Sequence, residues 1–283
     1  MSLTTLRAVL FAAACAMCFA GESAHAQEPI NSPAATQPST GRWVVRQQVK
    51  YLEARRHPIT GDDDFSKVVS WTNIAYGVAH NFSMNLSIPI EHERYRDASG
   101  ARHRDTGLAD VTLMGKLRLW QHDFGPIDTS RFSLLAGVEI PTYDHPFSSR
   151  GANPIIGGVF THVHGRHGVN LSGRYKFNTG RGTKFNLGGG RGKADALLYD
   201  ASYLYRLAPA QYDADTLGAW YGVVELNGIY ETNGDNELFI APGIMYEART
   251  WTIEAAVQIP AWQDLDRRGK TRFIATLGVR LLF

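Results

Sequence analysis

The chain is almost without cysteine. Of its 283 residues only Cys15 and Cys18 are cysteines, and none follows. That excludes a disulfide framework and a thiolate metal centre beyond the N-terminal stretch. It also suits a protein that crosses an oxidising compartment, where free thiols are a liability. After that stretch no run of 18 apolar residues occurs, which excludes a membrane-spanning helix. Charge of either sign is not in excess. Lys+Arg number 29 against 27 Asp+Glu, a net charge of +2, so the balance gives no support to nucleic acid as a partner. A hydrophobic share of 44% is too high for disorder. No amphipathic-helix window matches the strand periodicity of the chain in strength.

The N-terminus is distinct. MSLTTLRAVLFAAACAMCFA has one early positive charge, Arg7, and an apolar run from Ala8 to Ala20. At about 13 residues the run is too short to span a bilayer as a helix. Ala24-His25-Ala26 follows, an A-x-A cleavage pattern. Residues 1–26 therefore read as a secretory signal peptide, cleaved near Ala26. Residues 27–41, QEPINSPAATQPSTG, are rich in Pro, Ser, Thr and Ala and read as a flexible periplasmic leader.

From Trp43 onward the dominant signal is alternation with period 2. In NFSMNLSIPIE, Met84, Leu86, Ile88 and Ile90 alternate with Ser83, Asn85, Ser87 and Glu91. Such alternation marks strands with one apolar and one polar face. Twelve segments qualify: 43–53, 66–78, 81–94, 107–120, 130–142, 154–164, 167–177, 194–207, 217–230, 237–247, 250–260 and 271–283. They average roughly 12 residues, against a mode of about 5–6 in globular proteins. At ~3.3 Å per residue and a tilt near 45°, each climbs about 28 Å, which matches an apolar band of roughly 25 Å. The pattern predicts an all-β fold, a transmembrane antiparallel up-and-down β-barrel of about 12 strands over residues 42–283.

The connections agree. Those after odd-numbered strands are mostly longer, as in outer-membrane barrels with short periplasmic turns; TNGDN is short where a long loop is expected. Tyr and Trp, among them Trp43, Tyr51, Trp71, Trp120, Trp220 and Trp251, fall near strand ends, as interfacial girdles require. The final TRFIATLGVRLLF is apolar at every second position to its last residue. In a closed barrel that strand pairs with the first, because every backbone group in lipid needs a partner.

The stretch 83–120 resembles a bacterial outer-membrane family labelled for the MetA pathway of phenol degradation. Members show an apolar-Pro step, a polar loop, then Gly-x-Gly-Asp-Val leading into Lys-Tyr-Arg. Here these are IPIE (88–91) and TGLADVTLMGKLRL (106–119), and LLAGVEIPTYD (134–144) is similar to a later Gly-x-x-apolar-Pro-Thr-Gly step. Ala109 stands where Gly is usual, Leu117 where Tyr is common and Tyr143 where Gly is common. The resemblance implies a channel for passive diffusion of small molecules, with apolar or aromatic compounds as candidate solutes. The terminal Phe283, after alternating apolar residues, resembles the signal by which outer-membrane proteins are read by barrel assembly machinery. Outer-membrane lipids and lipopolysaccharide are further expected partners, the latter through Arg181, Lys184, Arg191 and Lys193.

The polar face supplies candidate lumen-lining residues. On the first strand these are Arg46 and Lys50, and on the third and fourth Glu91, Asp110, Lys116 and Arg118. Glu139 follows on the fifth, and Arg174 and Lys176 on the seventh. The later strands offer Asp200 and Arg206, then Glu225, Glu247 and Glu254, and finally Arg272 and Arg280. They line a water-filled path or form ion pairs that fill it; twelve strands lie between the filled interior of eight and the open pore of sixteen. No cofactor, metal or catalytic residue is assigned. His162 and His164 share a strand face but abut a tight turn without a carboxylate. GGGRGKA (188–194) departs from phosphate-loop spacing, and Asp62–Asp64 lack a calcium loop's spacing. A lipid-modifying enzyme would need a Ser or His at the outer rim; His92 and His145 are there without a serine beside them. That enzyme, or a closed structural barrel presenting its loops to a partner, is the alternative reading.

Overall fold

The computed structural model describes residues 27–55, 65–96, 100–142, 147–180, 194–213 and 215–283. Among them there is no helix. The strands are β1 (Trp43–Arg55), β2 (Phe65–Ala79), β3 (Phe82–Arg96), β4 (Arg102–Leu108), β5 (Val111–Asp123), β6 (Thr129–Ile140) and β7 (Asn153–His164). There follow β8 (His167–Lys176), β9 (Ala196–Ala208), β10 (Gly218–Glu231), β11 (Asn236–Ala248), β12 (Trp251–Asp264) and β13 (Lys270–Leu282).

All strand pairings are antiparallel and join sequence neighbours, except that β4 and β5 do not pair with each other but both pair with β3, and β1 pairs with both β2 and β13. The sheet is therefore closed. At the seam Val44 lies opposite Leu282, Trp43 N–H donates to the Phe283 carbonyl (3.2 Å), and Phe283 N–H donates to the Trp43 carbonyl (2.9 Å). The last residue of the chain is thus held in a backbone ladder, which the lipid environment demands.

The barrel has twelve staves, because β4 and β5 form one interrupted stave against β3. The break at Ala109–Asp110 lies beside Pro89, which has no N–H to donate; Ala109 N–H instead donates to the Pro89 carbonyl (3.0 Å). The charged stretch after Arg96, read from sequence as a loop, contains β4. Its alternation is of charge, not hydrophobicity, so a search for apolar periodicity passes over it.

The lipid-facing rows are apolar as expected. Met84, Ile90, Leu134, Ile156, Val257 and Leu277 are exposed on the outside. Aromatic side chains cluster at the turn end of the barrel: Trp43 on Tyr76 (4.3 Å between ring centres), and Trp220, Tyr246 and Trp251 in succession (5.0 and 5.3 Å). Trp71 departs from the girdle. It lines the interior, where the Lys50 ammonium sits over its ring at 5.7 Å.

Residues 27–41 are not a free leader. Gln27, Ile30, Ala34, Ala35 and Thr36 are almost fully buried inside the barrel. The segment enters beside Gly168, reaches inward to Asn31 and Ser32, and returns past Thr161 and Ser133 to the β2 end at Gly77. All these contacts but those of its tip lie toward the end that carries the chain termini.

Candidate functional site

An irregular segment inside a barrel must find partners for its backbone groups away from any ladder. Proline-rich sequence makes the need acute, since Pro29, Pro33 and Pro38 cannot donate. The lumen residues supply those partners. Glu225 accepts from Ile30 N–H (2.9 Å), Asn31 N–H (2.9 Å), Ser32 N–H (2.8 Å) and the Ser32 hydroxyl (2.5 Å). Arg46 donates to the carbonyls of Pro29 (2.9 Å) and Ile30 (2.8 Å), and Gln48 to that of Ile30 (2.8 Å). Lys116 donates to the carbonyls of Ala34 (2.6 Å) and Thr36 (2.7 Å), and Ala35 N–H donates to the Thr161 hydroxyl (2.8 Å).

Ion pairs tie these residues together. Glu254 joins Arg46 (2.7 Å) and Arg280 (3.4 Å), and Arg280 also holds Glu28 of the segment (2.9 Å). Asp200 takes Arg174 (3.0 Å) and Asn227 (2.9 Å), and Asn227 reaches Ser32 (3.1 Å). Lys50 reaches Asn31 (3.4 Å). Two glycines allow the close approach: a methyl group on Gly77 would run into the backbone of Pro38 and Ser39, and one on Gly243 into the Ile30 side chain.

Toward the other end of the lumen stands a second set of charges. Lys67 pairs with Glu91 (2.5 Å) and Glu93 (2.8 Å). Glu139 binds Asn153 (2.7 Å) and Lys176 (3.4 Å), and Asp110 accepts from Ser149 N–H (2.7 Å) and Thr142 N–H (3.2 Å). Arg268 holds Glu231 (3.3 Å) and Glu237. Between the two sets the lining turns apolar, with Leu52 opposite Ile274, Leu198 opposite Ile229, and Ile155 and Phe239 alongside. A cavity of about 470 Å³ runs from Trp43 and Phe283 past the inserted segment and this belt to Glu139, Lys176 and Glu237 of the far set.

The sequence-assigned lumen residues thus fall into distinct places. Arg46, Lys50, Lys116, Glu225 and Arg280 meet the inserted segment; Arg174, Asp200 and Glu254 support it. Glu91, Asp110, Glu139 and Lys176 belong to the far set. Arg206 and Glu247 are buried near the termini's end, with Arg206 over the Tyr212 ring (4.1 Å). Arg118 lies at the rim and donates to the His80 carbonyl. Arg272 is not in the lumen. It is the extra residue of a bulge between β1 and β13, exposed and paired with Glu53, and the bulge shifts the alternation by one.

Sequence reading missed Glu28, Lys67, Glu93, Glu231, Glu237 and Arg268. For Lys67 the signal was there, since it shares the face of Val69 and Trp71; for Glu28, in the irregular segment, there was none. Phe124 packs against both His162 and His164 (5.8 and 5.9 Å). His92 contacts Thr106 (2.6 Å) and Arg94 (3.2 Å). His145, Asp62–Asp64, Gly188–Lys193 and the signal stretch lie outside the described residues, as do Arg181 and Lys184.

Residues 58–264 match the family model described as "Putative MetA-pathway of phenol degradation". The chain belongs to that family. No curated relative matches. Among solved structures the chain is similar to the COG4313 outer membrane channel from Pseudomonas putida F1, at 13% identity and a TM-score of 0.55, over 91% of this chain and all of that one. Looser likenesses are the NanC porin (12% identity, TM-score 0.48, 84% and 98% of the two chains) and the CymD monoaromatic hydrocarbon channel (9%, 0.44, 87% and 89%). For this phenol-degradation family member, the likeness to the Pseudomonas putida channel agrees with the closed twelve-stave barrel.

Proposed function

We propose that this protein is an outer-membrane channel for passive diffusion of small molecules, apolar or aromatic ones above all, and that it works without catalysis or cofactor. The observation that carries the reading is the axial cavity with its apolar belt between two charged zones. A small aromatic solute can shed water against Leu52, Ile155, Leu198, Phe239 and Ile274, while the charged zones keep the ends wetted. In this reading residues 1–26 are cleaved near Ala26, both termini of the mature chain face the periplasm, and Phe283 is presented to the assembly machinery. Residues 27–41 narrow the periplasmic half of the path, so conduction depends on how they sit.

The test is single-channel conductance of the refolded mature protein beside a chain lacking residues 27–41. Folding is checked in both by heat-modifiable gel mobility. The expected result is small conductance in the full chain and a marked increase after deletion, with faster entry of phenol into liposomes. Folded protein that stays silent in both forms would overturn the channel reading. Release of fatty acid from the bilayer would point to the lipid-modifying alternative.

A further inference from the structure

The hairpin of β3 and β4 sorts its charges by face. Inward it carries Glu91 and Glu93, held by Lys67. Outward it carries arginines set directly against one another: Arg94 opposite Arg104, and Arg96 opposite Arg102. All four are exposed. Like charges in direct cross-strand register destabilise a hairpin. The outward rows of β2, β3 and β4 offer no carboxylate among the described residues, so the strands themselves do not relieve the repulsion.

The place of this cluster is defined by what lies below it. The outward row of β3 runs Phe82, Met84, Leu86, Ile88 and Ile90 before it turns basic. At ~3.3 Å per residue and a tilt near 40°, that row climbs about 20 Å, close to the thickness of the apolar band. Ile90 lies opposite Leu108, so both strands leave the acyl layer at the same level. The arginines therefore stand at headgroup depth, at the end opposite the chain termini, which in this class of barrel is the outside. Arg94 is already oriented. Its Nε donates to His92 Nε2 (3.2 Å), which leaves the imidazole proton on Nδ1, 2.6 Å from the Thr106 hydroxyl.

We propose that the outward face of the β3–β4 hairpin is a binding site for the phosphates of lipopolysaccharide. Guanidinium groups match phosphate oxygens in bidentate geometry. Four of them in one patch call for a headgroup with several phosphates, which a single-phosphate phospholipid does not provide. The apolar row beneath receives the acyl chains of the same molecule. The site is separate from the lumen and does not depend on the channel reading.

The experiment is a titration of the refolded full-length mature protein in detergent with lipopolysaccharide, read by native mass spectrometry. It is run beside the variant R94Q/R96Q/R102Q/R104Q, with folding checked by heat-modifiable mobility. Losing several charge-assisted bonds should weaken binding about tenfold or more, with phosphate-stripped lipopolysaccharide as weak on the unaltered protein and conductance unchanged in the variant. Should the quadruple variant fail to fold, R96Q/R102Q at the tip of the hairpin reads the same effect at smaller size. Undiminished binding by a folded variant would overturn the proposal, as would equal binding of phosphate-stripped lipid or equal competition by phosphatidylglycerol.

Discussion

Glu225 concentrates much of what holds the inserted segment. Its side chain is fully buried and receives three backbone N–H groups and a hydroxyl from Ile30–Ser32. Hydrogen bonds to a charged group are worth about 1.5–3 kcal/mol each. Glu225→Gln keeps the shape, removes the charge and turns an amide toward donors, so the segment should undock far more often. Because no cysteine follows Cys18, Ala34→Cys makes a clean reporter at a buried site. We expect maleimide to label it at least about tenfold faster in the Glu225→Gln background. Equal labelling rates would show that Glu225 does not clamp the segment. Gly77→Ala should act in the same direction by a different route, since the added methyl meets the backbone of Pro38 and Ser39. Neither residue announces this role in the sequence. Glu225 sits 195 positions from Ile30, and a glutamate on the polar face of a strand looks the same whether it meets water or a buried peptide.

The strands, as elements, were legible because lipid on one side and a polar lumen on the other impose a strict period of 2. On β13 that period places Leu277 outside, exposed to the acyl chains, and Thr276 inside, buried against Asn31. An arginine on the lipid face near mid-bilayer costs about 2–4 kcal/mol. Leu277→Arg should lower the urea midpoint of the refolded barrel accordingly, while Leu277→Met leaves it nearly unchanged. Unaltered stability of Leu277→Arg would mean that the face assignment of β13 is wrong. Two elements escaped the same logic. The outer part of the β3–β4 hairpin has polar residues on both faces, so no apolar phase marks it. Residues 27–41 have a composition shared by flexible and docked segments alike. Their three prolines limit the entropy lost on docking, yet the partners that decide the matter come from distant strands.

At the scale of the whole molecule the near-zero balance of charge conceals a separation along the axis. Around the inserted segment Arg46, Lys50, Lys116, Arg174 and Arg280 face Glu28, Asp200, Glu225 and Glu254. At the far end Glu91, Glu93, Asp110, Glu139, Glu231 and Glu237 face Lys67, Lys176 and Arg268. The first zone favours anions and the second cations, and an ion crossing the barrel meets both in series. Their preferences oppose each other, so the channel without residues 27–41 should discriminate weakly between potassium and chloride. The measurement is the reversal potential under a potassium chloride gradient across a planar bilayer, and a value near zero is expected. Glu91→Gln with Glu93→Gln weakens the acidic zone and should move the potential toward anion preference, while Lys116→Gln should move it the other way. A strongly selective parent channel would refute the series argument. So would a shift of the same sign from both kinds of variant, because the two zones would then not act as opposed filters.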